Sequence, residues 1–219
     1  MKNKKLKVKG ILLDLDGTIV DSREAYLEAV TTAFAAFGRK INDMHIATEI
    51  PRRLEQSLPI HDLLNGVDTN SFLDAYLKAY YRATATRAKP IPNISKTLEK
   101  LSQKATLAVV TMRYVPKKEV IQELERLSLA KFFKHVVTAT DNCRPKPSPE
   151  ALMSAAKELN IPTSECVVVG DSVVDVRAGK AAGTMTVAVL SGIFSREELE
   201  MEKPDLIIES VNELPDFLE

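Results

Sequence analysis

Six short runs of aliphatic and β-branched residues recur along the chain, at residues 8–13, 106–110, 135–138, 166–169, 185–190 and 205–208. Apolar runs this short, ended by turn residues, read as buried strands rather than helices. Helical patterns fill the intervals, at residues 94–101, 117–127, 149–159, 174–182 and 197–201. When strand and helix alternate at this spacing, consecutive strands are joined by right-handed crossovers. They then lie parallel in one sheet covered by helices on both faces. The expected fold class is therefore α/β.

One interval breaks the pattern. Residues 14–105 carry almost no strand signal and read as helices. Tyr26, Val30, Ala33 and Phe37 recur at helical spacing, and Gly38 follows as a stop. Phe72, Tyr76 and Tyr80 form an i, i+4 stripe with Ala75, Ala79 and Ala83 beside it, the pattern of a helical-bundle core. The domains expected are an inserted helical bundle at 22–88 and a core built from 1–21 and 89–219. The return segment, Lys89-Pro90-Ile91-Pro92-Asn93, is proline-rich and expected to be stiff.

Composition excludes several classes. The chain has 219 residues, 45% of them hydrophobic, and its 30 basic and 30 acidic side chains cancel. No overall basic field favours nucleic acid. The local basic cluster Lys2, Lys4, Lys5, Lys7 and Lys9 reads as a solvated tail leading into a strand. No stretch is long enough to span a bilayer and no secretory signal is present. Cys143 and Cys166 form no metal-type pair, and His45, His61 and His135 show no zinc spacing. A cytoplasmic protein without membrane or nucleic-acid partners, monomeric or homodimeric, is expected.

The polar residues with chemical potential stand at the ends of the apolar runs. The first run ends in Asp14-Leu15-Asp16-Gly17-Thr18-Ile19-Val20-Asp21-Ser22. Asp14 and Asp16, two apart, stand at the end of this strand where Gly17 permits the chain to loop, so the two can share one site. Two crowded acids suit a hard metal or acid/base work, a solvated strand end being the other reading. The second run ends in Val109-Val110-Thr111-Met112-Arg113, with a hydroxyl placed to meet an anion. In Arg144-Pro145-Lys146-Pro147-Ser148-Pro149-Glu150, two prolines present the Lys146 ammonium from a restrained backbone, and Ser148 is placed to cap a helix beginning at Pro149. The fourth run ends in Val169-Gly170-Asp171-Ser172-Val173-Val174-Asp175, followed by Ala178-Gly179 and Ala182-Gly183. That spacing sets Asp171 and Asp175 near one another at a helix start. The chain contains no Gly-x₄-Gly-Lys loop, no Gly-x-Gly-x-x-Gly and no Gly-x-Ser-x-Gly.

In this order, Asp14-Leu15-Asp16-Gly17-Thr18, Thr111, Lys146, Gly170-Asp171-Ser172-x-x-Asp175 and the Ala178-Gly179…Ala182-Gly183 helix resemble the haloacid dehalogenase superfamily. Within it, the resemblance is to phosphoglycolate-phosphatase-like phosphohydrolases, and it covers nearly the whole chain. It implies a Rossmann-like core with the first strand central, between those carrying Thr111 and Asp171, and makes the insert a helical cap. It also implies a Mg²⁺-dependent phosphatase of a small phosphorylated metabolite acting through an aspartyl phosphate. Asp14 is then nucleophile and metal ligand, Asp171 a second carboxylate ligand and the Asp16 carbonyl a third. The Asp16 side chain is general acid and base, and Asp175 holds metal-bound waters or orients Lys146. Thr111, Lys146 and the amides near Leu15 and Met112 hold the phosphoryl oxygens.

Asp16 argues against dehalogenation, because cleaving a carbon–chlorine bond needs no proton donor for the leaving group. Thr18 favours hydrolysis over a β-phosphoglucomutase-like mutase, whose members tend to carry Val there. A mutase, a pyrophosphatase and a phosphate- or partner-binding protein without turnover remain the alternatives. Two departures from the family pattern are Met112, where a small polar residue is commoner, and Asn93, where Gly is usual. Asn tolerates the left-handed conformation such a turn needs. For the leaving group, Arg113 and the cap pair Arg52 and Arg53 are candidate contacts.

Overall fold

The computed structural model describes residues 5–41, 43–141 and 144–219. Lys2, Lys4 and Cys143 lie outside them. The elements in chain order are β1 (Gly10–Leu13), β2 (Val20–Asp21), α1 (Arg23–Ala36), α2 (Ile46–Glu55), α3 (Thr69–Arg87), β3 (Lys89–Pro90), α4 (Ile94–Ser102), β4 (Thr106–Val110) and α5 (Lys117–Arg126). They continue as β5 (Phe133–Val137), α6 (Glu150–Leu159), β6 (Cys166–Gly170), α7 (Val173–Ala182), β7 (Met185–Val189), α8 (Arg196–Met201), β8 (Leu206–Ile208) and α9 (Leu214–Phe217). The chain divides into two compact units, Asp21–Lys89 and the remainder.

The larger unit holds a six-stranded sheet in the order β5-β4-β1-β6-β7-β8, with every pairing parallel. Ile11, Leu12 and Leu13 alternate between the two faces of β1, yet all three are wholly buried. Helices therefore cover both faces, as a parallel sheet requires. On one face Leu12, Ala108, Val110 and Val168 pack against Leu152, Ala155 and Ala156 of α6 and Ala178 of α7. From β1 the chain builds outward through β4 and β5, then returns to lay β6 on the other flank of β1. The carboxyl end of β1 thus sits at the switch of strand order, where open α/β sheets take their ligands. Leu13 is level with Val109 of β4 and with Val169 of β6, so the segments after these three strands emerge side by side.

The smaller unit is helical. Tyr26, Ala29, Val30, Ala33 and Phe34 of α1 are buried, as are Phe72, Tyr76, Ala79, Tyr80 and Ala83 of α3. The rings of Tyr26 and Tyr80 stack 5.3 Å apart, and Phe34 meets Phe72 edge-on at 5.0 Å. Phe37 does not join this core: α1 ends at Ala36, so Phe37 turns away and is 39% exposed, and Phe34 takes the place on the buried face. Gly38 stops the helix with a φ of 66°.

Other boundaries shift for local reasons. The first run is a strand only from Gly10, and Lys5, Lys7 and Lys9 before it are exposed. The helix expected from Pro149 starts at Glu150, whose amide bonds the Ser148 hydroxyl at 3.4 Å. Asn93 takes a φ of 65° at the start of α4, the left-handed turn expected of it. No helix among the described residues is long and apolar enough to cross a membrane.

Candidate active site

The turn after β1 starts as a continuation of the sheet, with the Asp14 amide bonding the Val169 carbonyl at 2.9 Å. It then closes on itself, the Val20 amide bonding the Leu15 carbonyl at 2.9 Å and the Gly17 amide bonding the Val20 carbonyl at 2.7 Å. This reversal keeps Asp14 and Asp16, two residues apart, at one end of the sheet. Gly17 adopts a φ of 78°, and a side chain there would run into the carboxylate of Asp171. Gly192, in the loop after β7, abuts the same carboxylate, and a Cβ would collide with it too. Two bare Cα atoms therefore make room for the Asp171 oxygens, one of which accepts from the Thr18 hydroxyl at 3.3 Å.

Lys146 is the hub of the cluster. Its side chain is 3% exposed, and Nζ donates to Asp14 Oδ1 at 2.6 Å, Asp175 Oδ1 at 2.5 Å and the Val110 carbonyl at 3.0 Å. An ammonium has three donors, so this geometry uses all of them and joins β1, β4 and α7. Asp175 is fixed from behind as well, since its Oδ2 accepts from the Ser172 amide at 3.2 Å in the capping box of α7. Thr111 continues β4, its amide bonding Val137, and its buried hydroxyl accepts from the Arg113 amide at 3.2 Å.

Asp14, Asp171 and Asp175 each bring a carboxylate oxygen within 4.8 Å of the others. Lys146 pairs with two of these three acids, Asp14 and Asp175, so two buried carboxylates meet one ammonium. Burial pushes the Asp14 carboxyl up to about 7, with Asp175 and Asp16 adding repulsion against the opposing pull of Lys146. Burial also works against the charged form of Lys146, but Asp14 and Asp175 outweigh it and hold this lysine above its ordinary range. An all-oxygen donor set with excess negative charge and a cleared space beside Asp171 fits a small hard cation such as Mg²⁺.

Asp16 is held by a different cation. Arg113 Nε donates to Asp16 Oδ2 and Nη2 to Oδ1, both at 2.7 Å. The other edge of the guanidinium meets the Glu123 carboxylate of α5, through Nη1 to Oε2 and through Nη2 to Oε1 at 3.3 Å. Burial raises the Glu123 carboxyl despite the Arg113 charge beside it.

The structure thus gathers Asp14, Asp16, Thr111, Lys146, Asp171 and Asp175 at one end of the sheet. The structure also gives the surroundings of Arg113, Met112 and the arginine pair. Arg113, expected to contact substrate, is buried and engaged with two carboxylates of its own protein. The Met112 side chain packs with Val173, Val174, Phe194 and Leu199, which accounts for an apolar residue at this position. Arg52 and Arg53 belong to the other unit: Arg53 pairs with Glu49 and Asp62 at 2.8 and 2.7 Å, and Arg52 lies 3.6 Å from Glu49. Glu123, Ser191 and Gly192 were not legible as site residues. Ser191 donates to the Gly17 carbonyl at 2.6 Å and so pins the turn that carries Asp16. Glu123 left one trace in the sequence, a charge on the helix stripe shared with Val120 and Leu124.

Residues 11–189 match the family model described as haloacid dehalogenase-like hydrolase. A phosphoglycolate phosphatase of Pseudomonas savastanoi pv. phaseolicola is 30% identical over 214 residues, covering 94% of this chain and 78% of that protein. Among solved structures, a haloacid dehalogenase-like family hydrolase from Streptococcus pneumoniae superposes with a TM-score of 0.82 at 20% identity, over 96% of this chain and 98% of that one. A candidate β-phosphoglucomutase from Thermotoga maritima reaches 0.71 at 25% identity, over 95% and 97%.

Proposed function

The chain belongs to the haloacid dehalogenase-like hydrolases, and on that footing we propose a Mg²⁺-dependent phosphatase of small phosphomonoesters such as phosphoglycolate. One observation carries the reading: Lys146 ties Asp14 to Asp175 within the cluster that also holds Asp171, at the carboxyl end of the central strand. A carboxylate beside a fixed ammonium, with excess acid around both, suits covalent phosphoryl transfer.

Asp14 is the nucleophile. Its oxygen attacks phosphorus, the bond from phosphorus to the ester oxygen breaks, and Asp16 gives the departing alkoxide its proton. In the second step Asp16 takes a proton from water as that water attacks the aspartyl phosphate, which returns Asp14 and releases inorganic phosphate. The Thr111 hydroxyl and the amides of Leu15 and Met112 hold the phosphoryl oxygens. Lys146 sets its charge between Asp14 and the transferring group. Asp14, Asp171 and the Asp16 carbonyl would hold Mg²⁺, with Asp175 behind them. When bound, the ion supplies the positive charge that lets a carboxylate approach a phosphate dianion. The compartment proposed is the cytoplasm, with which the buried free thiol of Cys166 accords.

Asp14→Asn tests the reading. Mg²⁺-dependent hydrolysis of p-nitrophenyl phosphate is expected in the wild type and should vanish in the variant. Unchanged hydrolysis in the variant, or none in the wild type, would reject it. The likeness to the Thermotoga maritima structure favours a second reading, a mutase. Incubation with β-glucose 1-phosphate separates the two: a hydrolase releases phosphate, whereas a mutase yields glucose 6-phosphate with little phosphate. A panel of phosphorylated metabolites then ranks substrates.

A further inference from the structure

Arg113 and Glu123 have no part in the chemistry above, yet both are built into the same end of the sheet. Their side chains are 4% and 5% exposed. Burying a guanidinium with two carboxylates is a poor way to stabilise a fold, since desolvation offsets most of the attraction and apolar residues of similar size do as well or better. The geometry, by contrast, is specific. Two parallel bonds of 2.7 Å in the guanidinium plane fix the plane of the Asp16 carboxyl as well as its distance. Glu123, carried by α5, grips the opposite edge of the same guanidinium and stops it from turning. Asp16 itself lies in the tight turn whose Gly17 carbonyl is pinned by Ser191. Backbone and side chain are therefore both immobilised, from three different elements.

A group that passes a proton must lie within hydrogen-bond reach of the atom it serves, and small misplacements are costly in rate. We propose that Arg113, braced by Glu123, is a positioning residue that holds the Asp16 carboxyl in reach of the leaving-group oxygen. This role rests on the reading of Asp16 as proton donor. It makes the arginine a determinant of which esters the enzyme cleaves well. An alkyl phosphate expels a strongly basic alkoxide that needs the proton, while p-nitrophenyl phosphate expels a stable phenolate that does not.

The test compares kcat/KM for p-nitrophenyl phosphate and for 2-phosphoglycolate in the wild type, Arg113→Met, Arg113→Lys and Glu123→Gln at saturating Mg²⁺. This parameter reports the first transfer, in which the leaving group departs. Arg113→Met is expected to lower the alkyl value about 100-fold and the aryl value only about fivefold, the difference reflecting lost general-acid catalysis. Arg113→Lys keeps the charge without the fork and should fall between, and Glu123→Gln should shift the ratio in the same direction by about tenfold or less. Equal losses on both esters, or no loss on either, would overturn the role. If Arg113→Met does not fold, an unchanged alkyl-to-aryl ratio in both Arg113→Lys and Glu123→Gln overturns it instead. Asp14→Asn, run alongside, separates the failures. Activity surviving in that variant sinks the phosphatase reading, and this role with it. An inactive Asp14→Asn with an unchanged ratio in the Arg113 variants sinks this role alone.

Discussion

Mg²⁺ should bind this protein about tenfold more tightly at pH 8 than at pH 6, because binding needs the Asp14 carboxylate and the fold resists its ionisation. The carboxyl is pushed up to about 7, first by burial and then by Asp175 and Asp16. About a tenth of Asp14 is ionised one pH unit below that value and about nine-tenths one unit above, so the ligand form gains about tenfold, or roughly 1.4 kcal/mol. The sign for stability follows. The native value lies above the ordinary 3.8, so the folded protein binds this proton more tightly than the unfolded chain. That contribution is fully present below the unfolded value and is lost as the pH rises through about 7. Metal-free protein therefore loses stability across this window, and Mg²⁺ restores it, so the ion should raise the melting temperature more at pH 8 than at pH 6. Calorimetry in buffers of different ionisation enthalpy should find nearly one proton released per ion at pH 6 and almost none at pH 8. Asp14→Asn should abolish both the release and the pH dependence. Equal affinities at the two pH values with no proton released would refute the account of the cluster as an excess of buried negative charge.

Other outcomes follow from single contacts. Lys146→Met leaves Asp14 and Asp175 buried without their shared cation and should cost about 3–5 kcal/mol in urea unfolding. Gly192→Ala puts a methyl against the Asp171 carboxylate and should weaken Mg²⁺ binding about 10-fold or more by calorimetry, with the circular dichroism spectrum unchanged. Asn93→Ala must hold a left-handed φ without the tolerance of Asn and should cost about 1 kcal/mol, whereas Asn93→Gly should be neutral or slightly stabilising in thermal melts.

The central strands were legible because both of their faces are buried. Residues 107–110 and 166–169 are then continuous apolar runs with no alternation to misread. The edge strand β5 was less so: Phe133, Lys134 and His135 are partly exposed, the apolar signal fades, and the strand begins two residues before the run read from the sequence. Asp14, Thr111, Lys146 and Asp171 stood out because each ends an apolar run or sits in a proline-restrained loop. Glu123 did not, since one acid among Glu119 and Glu125 looks like a solvated helix face until the fold sets Arg113 against it. Ser191 acts on the turn after β1 from 174 positions away, and no local pattern encodes such a contact. Arg52 and Arg53 show the converse: their charge was visible, but the pairing of Arg53 with Asp62, nine positions on, was not.

The strands β2 and β3, where the chain crosses between its two units, are hydrogen-bonded neighbours in a sheet of their own. The smaller unit is in effect a loop tied at its base by backbone bonds that need no particular side chains. Closing a loop costs little more when the loop is longer, each doubling adding only about 0.6 kcal/mol, so a longer or shorter segment between Asp21 and Lys89 changes the closure entropy of this stem only slightly. For an engineer, the same stem marks where a transplanted helical segment can be joined while the sequence around Asp14, Asp16 and Lys146 stays as it is.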